Sequence, residues 1–116
     1  MLTIRFDPHG KSLDDRIKID PPYEHVAQFI ASDIQASVHG ATRYATLLRD
    51  VVTGSRAPIE DETGNAWTIT ADPAWTTLTN SYGHRPLSVR LPTTWLIDAI
   101  ERWCQHLIAQ GYPRDQ

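Results

Sequence analysis

An apolar stripe constrains this 116-residue chain more than any other feature. It runs through Ile30, Ile34, Ser37, Ala41, Tyr44, Leu48 and Val51 with spacings of 4, 3, 4, 3, 4 and 3. That is the period of one face of an α-helix and cannot be accommodated by a strand. Val26 extends the stripe by a turn. Gly40 weakens a helix interior by about 1 kcal/mol relative to Ala and marks a candidate kink or break. Gly54 is a good stop, because Gly takes the left-handed cap conformation freely.

The flanking segments follow a different period. Leu2 to Phe6 alternates apolar and polar residues, and Ile17 and Ile19 share a face, so a hairpin is expected around Asp7-Pro8-His9-Gly10. Beyond Gly54, short strands are expected over 58–62, 66–71, 75–79 and Leu87 to Leu91. They are separated by Thr63-Gly64-Asn65, Asp72-Pro73-Ala74 and 80–85. A second helix is expected from about Pro92 to Ala109, burying Trp95, Leu96, Ala99, Ile100, Trp103, Leu107 and Ile108. Gly111 and Pro113 end it. The order is β-β-α-β-β-β-β-α. The economical way to bury both helical stripes is an α+β fold: an antiparallel sheet of about five or six strands with the two main helices on one face.

Length fits one domain spanning residues 1–116. An apolar fraction of 41% and a charged fraction of 22% argue for an ordinary core over disorder. No run approaches the ~18 apolar residues of a membrane helix, and the start MLTIRFDPHGK lacks a signal-peptide pattern. Cys104 is the sole cysteine, which excludes an internal disulfide and fits a reducing cytoplasm. No nucleotide-binding loop or nucleophile elbow is present. His9, His25, His39, His84 and His106 lack the i, i+4 spacing of a helical metal site, so neither metal nor cofactor is expected. Net charge is −3, which argues against direct nucleic-acid binding. Residues 57 to 84 hold Glu60, Asp61, Glu62 and Asp72 and neither Lys nor Arg, so an acidic face is expected there. Consecutive carboxylates on an extended strand point to opposite faces, which makes the run a poor cation site.

Four tryptophans sit in the chain. Trp67, Trp95 and Trp103 fall on core faces. Trp75, after a turn and beside Asp72, has the strongest claim to exposure, and Tyr82 in the next turn can join it. Exposed aromatics beside charges are the usual composition of an interface hot spot.

The Trp-containing meander Gly64-Asn65-Ala66-Trp67-Thr68-Ile69, the closing Leu91-Pro92-Thr93-Thr94-Trp95-Leu96 and the Trp103 helix, on an acidic α+β domain of this length, resemble the small immunity proteins of bacterial contact-dependent growth inhibition. The resemblance implies a cytoplasmic, non-enzymatic protein, monomeric or weakly dimeric. Its partner would be one cognate toxin domain, commonly a basic nuclease, whose active site or substrate groove it covers. On that reading Glu60, Asp61, Glu62 and Asp72 supply charge, and Trp75 and Tyr82 supply apolar anchors. Two other classes stay open: a small nucleic-acid-processing enzyme using His84 with Arg85 or Arg90, and a homo-oligomeric structural or regulatory protein.

Overall fold

The computed structural model describes residues 3–81 and 86–116. Strands β1 (Ile4–Phe6) and β2 (Ile17–Ile19) form the expected hairpin. Helix α1 (Val26–Phe29) passes into a π turn over Ile30–Ile34, and α2 spans Val38–Thr53. Strands β3 (Ile59–Thr63), β4 (Thr68–Ala71), β5 (Trp75–Asn80) and β6 (Leu87–Pro92) form an antiparallel meander, and α3 (Thr93–Ala109) closes the fold. The class is the one read from the sequence, and the element order matches it except that the first long helix is split into α1 and α2. The six strands among the described residues divide into a two-stranded and a four-stranded sheet, the latter in the order β3-β4-β5-β6.

The helical stripe is interrupted earlier than Gly40. The π turn closes when the Gln35 amide bonds to the Ile30 carbonyl at 2.7 Å, and Gln35 then adopts a φ of 62°. Ser37 is therefore not a stripe residue. Its hydroxyl accepts the Gly40 amide at 2.8 Å and caps α2. Gly40 sits in the first helical turn, where its cost is small. The kink itself is held from outside: Trp103 donates its indole N–H to the Gln35 carbonyl at 2.9 Å.

Alternation decides the four-stranded sheet. Ile69, Ala71, Thr76, Leu78, Val89 and Leu91 are buried on one face, against the helical layer. Buried Ala41, Leu48 and Val51 of α2 and Leu96, Ile100, Trp103 and Leu107 of α3 belong to the same core. The helices pack on each other, and Arg49 pairs with Glu101 across them. Phe6 carries the hairpin onto α3, with its ring centroid 5.6 Å from Trp103 and 4.6 Å from His106. Trp67 and Trp103 are core residues, as expected. Trp95 is only half-buried, its ring edge-on to Tyr23 at 4.9 Å. Cys104 is likewise half-buried, beside the Thr42 hydroxyl.

Asp33 fixes the sheet to the π turn. Its carboxylate accepts the Ala66 and Trp67 amides at 2.9 and 3.2 Å, while Asn65 donates to the Ser32 carbonyl. Gly64 makes that close approach possible, since a Cβ there would lie 2.5 Å from Asp33 Oδ2 and 3.0 Å from the Tyr44 oxygen. The Gly64-Asn65-Ala66-Trp67 turn is thus a docking element of the fold.

Candidate functional site

Directly opposed residues in an antiparallel pair share a face. Thr63 opposes Thr68, Thr68 opposes Thr79, and Thr79 opposes Ser88, so one row of hydroxyls crosses all four strands. In the next row Thr70 opposes Thr77, which opposes Arg90. Trp75, two residues from Thr77 on the same face, closes the corner. Among the described residues no helix covers this face. The first cause is sequence: every outward position of β4 and β5 is polar except Trp75, so no apolar surface calls for a covering layer.

The Trp75 corner is built by a turn and a stacking contact. Asp72 Oδ1 accepts the amides of Ala74 and Trp75 at 2.8 and 2.7 Å, a side-chain-closed turn. Those bonds hold its carboxyl below the usual aspartate range, with a smaller contribution from Arg90. The Asp72 carbonyl accepts the Thr93 hydroxyl at 2.8 Å, and the Thr93 amide bonds to the Ala74 carbonyl, so the start of α3 anchors the same turn. Thr76 and Thr93, both fully buried, satisfy each other at 2.9 Å. Trp75 is 40% exposed, and the Arg90 guanidinium lies over its ring at 4.0 Å.

The acidic run does not form one surface. Ile59 opposes Ala71 and Glu62 opposes Ile69, so Glu60 and Asp61 together face the single residue Thr70. This is a β-bulge, with Asp61 at a φ of 52°. Thr70 donates its hydroxyl to Asp61 at 2.9 Å, placing Asp61 at the rim of the open face. Glu62, sharing a face with Ile69, lies on the helix side instead. There it borders a groove of about 550 Å³ between α2 and the sheet edge, with Tyr44, Leu47, Asp50 and Gly64. Burial and the nearby Asp33 carboxylate push the Tyr44 hydroxyl above its ordinary pKa. The bulge and the three charges also have a role in the fold, since they blunt an edge strand against pairing with other chains.

The structure therefore brings Asp61, Asp72 and Trp75 towards one face, leaves Glu60 exposed on the bulge, and separates Glu62 from them. Tyr82, His84 and Arg85 lie outside the described residues. Arg90, weighed in the sequence only as a phosphate ligand beside His84, is the residue whose place pattern reading missed. The signal was present, since Arg90 is the outward charge between buried Val89 and Leu91, but its position over Trp75 depends on strand register. Among the described residues no three His, Cys, Asp or Glu side chains group as a metal site, and no helix is long and apolar enough to cross a membrane. Comparison with protein-family models, curated proteins and solved structures finds no match to this chain.

Proposed function

We propose that this chain is a binding protein that docks a partner protein on the open face of its four-stranded sheet. In keeping with the resemblance to immunity proteins, the partner is a cognate toxin domain whose active site or substrate groove the sheet covers. The observation that carries the reading is the Trp75–Arg90 pair at the uncovered corner of that face. Tryptophan and arginine are the residues most enriched at interface hot spots. Trp75 also has no core to serve, whereas the acidic residues around it have jobs in the turn and at the sheet edge. Asp61 and Asp72 outweigh Arg90 across the open face as a whole, with that one cation already engaged by the ring, and the whole chain carries a net charge of −3. A basic toxin surface, shaped for phosphates, is the complementary partner.

The test is capture of a stoichiometric partner by the wild-type chain, repeated with Trp75→Ala and Arg90→Ala. The reading expects both variants to fold and to lose the partner. Capture undiminished by either change would remove the open face as the interface.

A further inference from the structure

We propose that the free edge of β6 pairs with β6 of a second copy of this chain, antiparallel, with the two Val89 residues opposite each other. The four-stranded sheet has two edges, β3 and β6, and they are treated differently. β3 carries a bulge and Glu60, Asp61 and Glu62, the devices that keep an edge from pairing. β6 keeps unbroken register with β5 from Leu87 to Pro92. Its one charged residue, Arg90, stands on the outward face of the sheet over Trp75, not across the backbone groups of the edge. Leu87, at its end, is 37% exposed and is, with Trp75, one of the large hydrophobic residues exposed among those described.

The residue order selects the occupant and the register. Self-pairing of one edge is twofold-symmetric, so each contact is made twice. A twofold at Val89 sets Ser88 opposite Arg90 of the second copy, and Leu87 opposite Leu91. The inner-face positions stay apolar, exposed Leu87 is brought against the second copy's edge, and the outward Ser88 and Arg90 positions stand side by side. A twofold at Arg90 would oppose like charges, which is destabilising. A single strand pair is a small interface, so the dimer is weak, with a dissociation constant of about 10–500 μM.

Sedimentation equilibrium of the purified chain from about 5 μM to 1 mM tests this, with Ser88→Glu and Ser88→Lys as variants. Ser88 is exposed, so both variants keep the wild-type unfolding transition. We expect a concentration-dependent dimer. Ser88→Glu, opposite Arg90 twice per dimer, tightens it about three- to tenfold, and Ser88→Lys weakens it by a similar factor. A chain that stays monomeric throughout, including Ser88→Glu, would overturn the proposal and leave the edge to a foreign strand. Shifts of both variants in the same direction would overturn the register.

Discussion

The guanidinium of Arg90 lies 4.0 Å from the ring centroid of Trp75, on a sheet face that no helix covers among the described residues. Such a pair contributes only about 0.5–1 kcal/mol where it is wet, and more when a partner excludes water. Trp75→Ala should therefore change folding stability by less than about 1 kcal/mol while weakening partner binding by about 2 kcal/mol or more. Denaturant unfolding and calorimetric titration of the two proteins separate these quantities. Comparable losses in both would make Trp75 a structural residue.

The bulge at Glu60 and Asp61 turns the acidic run into two sites with opposite outlooks. Charge reversal should reveal the split. Glu60→Lys with Asp61→Lys should slow association with a basic partner, most strongly at low salt, because rim charges act mainly on the on-rate. Glu62→Lys, on the helix side, should leave the rate nearly unchanged. Stopped-flow mixing at two ionic strengths makes the comparison, and equal slowing by both reversals would argue for docking over the β3 edge itself.

What the sequence revealed follows from how local each signal is. The periods of 3.6 and 2 located α2, α3 and the meander, and Trp67 and Trp103 were legible as core because each shares a face with aliphatic neighbours. The break before α2 was obscured because Ser37 falls on the stripe by spacing, although Ser followed by a helical run is also an N-cap pattern. The hairpin's separation from the main sheet, and the bulge that rotates Glu62 away from Asp61, depend on long-range pairing. No short-range pattern encodes them. The meeting of Arg90 with Trp75 is of the same kind: the two residues lie on adjacent strands, and only register brings them together.

Trp103 fills the core at 1% exposure and also bonds the Gln35 carbonyl. Trp103→Ala should destabilise the protein by about 3–5 kcal/mol. Trp103→Phe keeps much of the apolar volume but leaves the Gln35 carbonyl without its donor, at a further cost of about 1–3 kcal/mol over the packing change. Urea unfolding of the pair distinguishes the two contributions. A Phe variant as stable as wild type would show that the kink at Gln35 needs no anchor.

His106 stacks on Phe6 and Trp103, at centroid distances of 4.6 and 5.5 Å. Burial, then the charge of Arg16, lowers its pKa from the ordinary histidine value of 6.5. The unfolded chain thus binds a proton at higher pH than the folded one. The His106 contribution is fully present above the unfolded value and is lost as pH falls through it towards the folded one. Thermal unfolding from pH 7.5 down to pH 5 should show stability declining below about pH 6.5, a decline reduced in His106→Phe. An identical pH profile in that variant would assign the effect to other groups.

The most direct test of the docking face is chemical-shift mapping of the isotopically labelled chain against the partner it captures. The account predicts the largest shifts at the Trp75 indole and at Thr70, Thr77, Thr79 and Arg90, all on the uncovered face. Shifts gathered instead on α2 around Tyr44 and Leu47, with the Trp75 indole unmoved, would contradict it and place the partner in the groove beside β3.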